Sequence, residues 1–173
     1  MIFFDTCVWI ELFGVKTPEK EHEKQRAIAT SDVFQNVLLS GEQIVTCKEQ
    51  LLEIISAIQK VKMKQYNREQ KTKGLTGVGD VKAFRSTDSF ADTKELCKMI
   101  ISDVLFFANS EENISYSVKD ILDRINIADI NDCIYYDYCR SNDIKLYTLD
   151  HDLLNIDVDG LVKYIDCGNE KMN

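Results

Sequence analysis

The amino-acid sequence predicts a three-layer α/β/α sandwich around a central, mostly parallel sheet. Short apolar runs at residues 2–4, 44–46, 144–148 and 161–165 alternate with stretches of helical apolar period. That alternation is what parallel strands joined by helical crossovers require. The first run, Ile2-Phe3-Phe4, is apolar throughout, as suits a strand covered on both faces. Asp5 follows the first run and Asp150 the third, and open α/β folds gather their chemistry at that carboxyl edge.

Taken in order, the apolar run at 2–4 leads through Asp5-Thr6 into a short helix carrying Val8, Trp9, Ile10, Leu12 and Phe13. Thr17-Pro18-Glu19 predicts a helix start, with Thr as N-cap and Pro at the first helical position. Ser31-Asp32 predicts a second start, leading into Val33, Phe34, Val37 and Leu38 and ending at Ser40-Gly41. After the strand at 44–46, a helix over 49–61 sets Leu51, Leu52, Ile54, Ile55, Ile58 and Val61 on its apolar side, with Glu53 interrupting them. A carboxylate amid aliphatic residues is either at an exposed edge or aimed at something. Residues 66–92, with Gly74, Gly77 and Gly79, read as a polar, mobile insertion carrying a short strand near 81–84. Helices resume near Thr93 and over 117–125. Ile127, Ile130, Ile134 and Tyr138, three to four apart, predict one more before the strand at 144–148.

The whole, residues 1–173, is expected to be a single domain, since 173 residues with 45% hydrophobic content bury one sizeable core. No apolar run approaches the ~20 residues needed to cross a bilayer. The start MIFFDTCVWIEL lacks a basic segment and meets Asp5 early, unlike a signal peptide. The expectation is a cytoplasmic protein without membrane contact. Six cysteines show neither a C-x-x-C pair nor zinc spacing, so they are expected as reduced, buried thiols.

A net charge of −8 argues against holding nucleic acid by bulk electrostatics. The charge is uneven, however: residues 60–73 carry six basic residues against one acid. That stretch is either a solvated helix end or a basic arm that holds a phosphate backbone through Lys60, Lys62, Lys64 and Arg68. Trp9, Tyr135, Tyr136 and Tyr138 are expected in the core, the alternative being platforms for base stacking.

Four acids occupy comparable places: Asp5 after the first strand, Glu53 on the helix after the second, Asp132 opening a late helix, and Asp150 after the strand that follows. A helix and the strand it feeds place their ends at opposite edges of a sheet, so Asp129 and Asp132 are expected beside Asp150. Such acids repel one another unless a cation neutralises them. Hard oxygen donors suit Mg²⁺ or Mn²⁺, which lower the pKa of bound water and stabilise charge on a phosphodiester. The two histidines, His22 and His151, stand in neither a triad nor a zinc setting.

Asp5-Thr6-Cys7-Val8-Trp9-Ile10, Leu51-Leu52-Glu53-Ile54, Asp132-Cys133-Ile134 and Thr148-Leu149-Asp150-His151-Asp152-Leu153 together resemble the PIN domain family. That family comprises metal-dependent ribonucleases, including toxins of bacterial toxin–antitoxin pairs. The resemblance implies a PIN-like fold and a Mg²⁺- or Mn²⁺-dependent endoribonuclease, with RNA as substrate, an antitoxin as candidate partner and a homodimer as candidate assembly. It implies Asp5, Glu53, Asp132 and Asp150 as metal-binding acids, with Thr148 and Thr6 as accessory hydroxyls. Asp132 suits the family pattern better than Asp129, which also reads as an N-cap, and Glu53 better than Glu49. Asp152 reads as a supporting residue or as the N-cap of a turn at 153–154. Cys7 departs from the small polar residue usual in the family. The alternatives are a PIN-like regulator without catalysis, which would bind RNA or protein, and a phosphohydrolase of haloacid dehalogenase type. The latter needs an Asp where Cys7 stands.

Overall fold

The structure, a computed structural model, describes residues 1–167. Strands β1 (Ile2–Phe4), β2 (Ile44–Cys47), β3 (Ala108–Glu111), β4 (Lys145–Thr148) and β5 (Val162–Tyr164) form one sheet in the order β3-β2-β1-β4-β5. Every pairing is parallel, with Ile2 beside both Ile44 and Lys145, and Leu146 beside Val162.

Strand residues alternate between two cores because successive side chains point to opposite faces. Ile2, Phe4 and Ile44 enter one, with α1 (Thr6–Leu12), α2 (Glu21–Ser40), α3 (Lys48–Thr72) and α5 (Ser89–Phe107) packed over them. Phe3, Val45, Leu146 and Val162 enter the other, under α6 (Val118–Arg124), α7 (Ile130–Ser141) and α8 (His151–Ile156). The chain steps outward from β1 to β2 to β3 with its helices on one face. It then crosses back over β1 to β4 with its helices on the other, as right-handed crossovers dictate. The strand order reverses between β1 and β4, and a crevice opens beyond their carboxyl ends.

The aromatic residues at helical spacing belong to the interior. Tyr135 and Tyr136 are fully buried, and Trp9 packs against Phe4 and Phe34 at ring separations of 5.5 and 6.1 Å. Tyr138 lies against Phe3, so the base-stacking alternative is set aside for all four. The Trp9 Nε1 is buried without a hydrogen-bond partner among the described residues.

Several expected elements are corrected. A single helix, α2, replaces two: the Glu23 carboxylate accepts the backbone N–H of Glu19 at 2.8 Å and of Lys20 at 3.1 Å, which starts the helix after Pro18. Ser31-Asp32 then lies inside it, since no Gly or Pro interrupts the run. Helix α3 continues past Val61 through good helix formers to Thr72. Leu52, expected on its apolar side, is exposed. The stretch at 81–84 is a helical turn, α4 (Val81–Phe84), capped by the Asp80 side chain, rather than a strand. Phe84 there is buried against Tyr66 and Phe90. Asn67 ties the return loop to α3, accepting from the Val78 N–H and donating to its carbonyl at 2.8 and 2.9 Å. Residues 66–92 are thus a folded excursion. Helix α5 begins at Ser89, ahead of Thr93. Strand β3 is an unpredicted addition at the sheet edge: three of its four residues are exposed, so it carries no apolar alternation. The six cysteines are free thiols; Cys47, Cys97, Cys133 and Cys139 are buried as expected, whereas Cys7 and Cys167 are only partly so. No helix of the described residues is long and apolar enough to cross a membrane.

Helices α6 and α7 are clamped by charge. Asp137, buried in α7, accepts from Arg124 at 2.5 Å and from the Ser117 N–H at 3.2 Å, and Arg124 also lies over the Tyr136 ring. Removing one partner of such a pair strands the other. Asp137→Ala is expected to destabilise the fold by about 3 kcal/mol in urea unfolding, and an unchanged midpoint would refute the clamp.

Candidate metal centre

Each acid of the set reaches the crevice from a different element. Asp5 leaves β1 and turns directly into α1, its carbonyl accepting from the N–H of Val8 and Trp9. Its carboxylate is buried; Oδ2 accepts from the Thr148 hydroxyl at 2.7 Å and the Cys7 thiol at 2.9 Å. Thr148 ends β4, the neighbouring strand, and its Oγ1 also accepts the Asp150 N–H at 2.9 Å. One hydroxyl therefore couples the ends of β1 and β4.

Glu53 comes from the second turn of α3. Its Oε2 accepts from Thr6 at 2.8 Å and from the Tyr135 hydroxyl at 2.6 Å. Gln50, one turn earlier and fully buried, donates to the Phe4 carbonyl and accepts from Thr46, each at 2.7 Å. Those bonds pin the start of α3 to the end of β1 and fix how far Glu53 stands from Asp5.

Asp132 lies in the first turn of α7, and Asp129 is the N-cap of that helix, accepting from the N–H of Asn131 and Asp132. Asp150 is the N-cap of α8 through the Asp152 N–H at 2.9 Å. The cap is thus Asp150, where a turn capped by Asp152 was expected, and Asp152 itself is exposed.

Asp5, Glu53, Asp129, Asp132 and Asp150 line one cleft together with Thr6 and Arg26. Burial pushes the Asp132 carboxyl up to about 8, and the charges of Asp5, Asp129, Asp150 and Glu53 add to it. Burial likewise raises Asp5 to about 6, against the downward pull of its bonds from Cys7 and Thr148. Burial and the Asp5 charge hold the Cys7 thiol well above its usual value, so it stays a neutral donor to Asp5.

Two contributors, Tyr135 and Arg26, had no local signal in the sequence as partners of the acids, and a third, Glu49, is the acid ranked there below Glu53. Tyr135 is a fully buried core residue whose hydroxyl touches the site by donating to Glu53. Arg26, from polar α2, lines the wall while paired to Glu11 at 2.6 Å. Glu49 lies one turn before Glu53 at the adjoining mouth, beside Asp129 and Lys60, and its Oε2 is buried without a hydrogen-bond partner among the described residues. Of the candidate phosphate contacts, Lys60 borders this mouth, whereas Lys62 turns toward Tyr66 and Phe84, and Lys64 and Arg68 line a groove with Lys16 and Glu19.

Among the described residues no three of these acids stand ready around one point as a cation cage; Asp5, Glu53, Asp129 and Asp150 are each held by hydrogen bonds of their own. The donor set fits a hard divalent cation nonetheless. Five carboxylates face one cleft, and Arg26, the cation on its wall, is engaged by Glu11. Mg²⁺ and Mn²⁺ suit such oxygen donors and are held through retained waters as well as directly.

Fold and cleft together define a class: open, parallel α/β proteins whose chemistry is carried by carboxylates where the strand order reverses. Within that class the sequence decides the family. The PIN domain family model matches residues 2–159, and the chain belongs to the PIN domain family. PIN domains are in general nucleases that use divalent metal ions. No curated protein and no solved structure matches the chain.

The raised carboxyls set a pH dependence. Below about pH 4 the acids are protonated in both folded and unfolded chains and contribute nothing. As pH rises, the unfolded chain loses protons that folded Asp5 and Asp132 retain up to about 6 and about 8, so stability falls across that window. Thermal melting without divalent ions is expected to decline from pH 4 to pH 8, and Asp132→Asn to flatten the decline. A variant melting in parallel with the parent would exclude this origin.

Proposed function

We propose that the chain is an endoribonuclease that hydrolyses RNA phosphodiester bonds with Mg²⁺ or Mn²⁺. The observation that carries this reading is the meeting of Asp5, Glu53, Asp132 and Asp150 in one cleft at the point where the strand order reverses. Family membership supports nuclease chemistry, and RNA is favoured by the resemblance to ribonucleases of that family.

Asp5, Glu53, Asp132 and Asp150 would hold the ion, which supplies, when bound, a water of lowered pKa and positive charge against the phosphate. The chain's own groups do the positioning. Thr148 and Cys7 fix the Asp5 carboxylate, while Thr6 and Tyr135 fix Glu53 through Oε2. Such preorganisation keeps the acids from rearranging as charge develops on the phosphate. Arg26 lines the same cleft, and the edge of its guanidinium not held by Glu11 would face a phosphate oxygen. No side-chain nucleophile is required.

Purified protein is expected to cleave single-stranded RNA with Mn²⁺. Asp5→Asn should lower the rate by at least about a hundredfold, or ~3 kcal/mol of barrier, with melting unchanged or raised because one buried charge is gone. Cleavage by the variant at the parental rate would sink the proposal. Tyr135→Phe, which keeps the ring and frees Glu53, should lower kcat about tenfold with a smaller effect on KM; parental kinetics would remove Tyr135 from the site.

A further inference from the structure

The 25 residues of α3 carry both Glu53 and the main cluster of positive charge on an acidic chain. At about 100° and 1.5 Å per residue, Lys60, Lys64 and Arg68 lie within about 60° of the Glu53 direction. They stand about 10, 16 and 22 Å along the axis from it. All three are exposed. Lys62, by contrast, falls about 180° round the helix and donates to Gln65 beside the pocket of Phe84 and Leu96.

The stripe is continuous with the cleft. Ala57 and Glu53 line the cleft and the adjoining mouth, Lys60 borders that mouth, and Lys64 and Arg68 line the groove beyond it. The groove carries two acids: Glu69, which accepts from Gln65, and Glu19, 3.8 Å from Arg68 with both side chains largely exposed, a pairing that salt and a competing phosphate readily displace. Lys16 in the same groove is engaged by Glu23. Lys60 to Lys64 and Lys64 to Arg68 are each four residues, about 6 Å, close to the spacing of successive phosphates along one nucleic-acid strand.

We propose that Lys60, Lys64 and Arg68 form a track on α3 that holds successive phosphates of a single-stranded RNA leaving the carboxylate cleft. The substrate is then a strand extending several nucleotides to one side of the bond in the cleft, held without reading its bases. The inference rests on the nuclease reading above for the identity of the strand. A cleft lined by acids repels phosphate, and the track supplies the attraction at a distance where that repulsion is screened.

The test uses full-length protein carrying Asp5→Asn, so that the strand survives whatever the cleft does. Binding of a fluorescein-labelled twelve-nucleotide oligouridylate is followed by anisotropy across a salt series. Adding Lys60→Ala, Lys64→Ala and Arg68→Ala together is expected to weaken binding at least tenfold near 0.1 M salt. It should also make the slope of log K against log salt shallower by about 2, the loss of three phosphate contacts on a single strand. Lys62→Ala should leave both unchanged. Absence of binding by the parent, an unchanged slope in the triple variant, or an equal loss in Lys62→Ala overturns the track. So does an oligoglutamate of matched charge that binds as tightly and loses affinity equally, which marks an acidic-peptide surface. Cleavage with Mn²⁺ is scored separately, so loss of the nuclease reading leaves the binding result standing.

Discussion

Like charge crowded into a poorly solvated place is the constraint on which this molecule turns. Two strand ends and two helix starts deliver acids to one crevice, where Asp5 and Asp132 are buried away from screening water while Asp129 and Asp150 stay exposed at its rim. The fold tolerates this because four of the five acids are tethered by hydrogen-bond donors. Asp5 takes the Thr148 hydroxyl and the Cys7 thiol, Glu53 takes Thr6 and Tyr135, and Asp129 and Asp150 take backbone N–H groups at helix starts. Burial outweighs the tethers: it is the main reason the Asp5 and Asp132 carboxyls are raised, and the neighbouring acids add to it.

The same tethers transmit position. Gln50 joins β1, β2 and α3 through two buried bonds, and Tyr135 joins the two sides of the sheet by placing its ring in one core and its hydroxyl on an acid that comes from the other side. A local change in either core therefore reaches the cleft through a short, stiff route. The thiol at Cys7 fits this logic: burial keeps it neutral, so it donates to Asp5 in the manner of a hydroxyl.

Much of this was legible in the residues. The run Ile2-Phe3-Phe4 followed by Asp5, and Leu146-Tyr147-Thr148 followed by Asp150, marked strand ends, and apolar periodicity marked the helices between them. Glu53 was conspicuous because a carboxylate has no business among Leu51, Ile54 and Ile55 unless it is aimed at something. What stayed hidden depended on contacts distant in sequence. Strand β3, with the sequence ANSE, is made a strand by β2 alongside it and has no pattern of its own. The continuation of α3 past Val61 and the turn at α4 rest on Tyr66 meeting Phe84, a contact between polar-looking segments. Tyr135 read as core and is core; only its last atom belongs to the site. Arg26 sits in a polar helix where nothing local distinguishes it from its neighbours.

Trp9 gives the molecule an optical property. It is the single tryptophan of the chain, and its indole is shut away among Phe4, Phe13 and Phe34 with no polar partner for its nitrogen among the described residues. A ring in such dry surroundings emits at the blue end of the tryptophan range. It also lies in the first turn of α1, whose start is Asp5 itself. The protein thus carries a built-in lamp one helical turn from the buried Asp5, and any rearrangement there that shifts α1 is written into the colour of its own fluorescence.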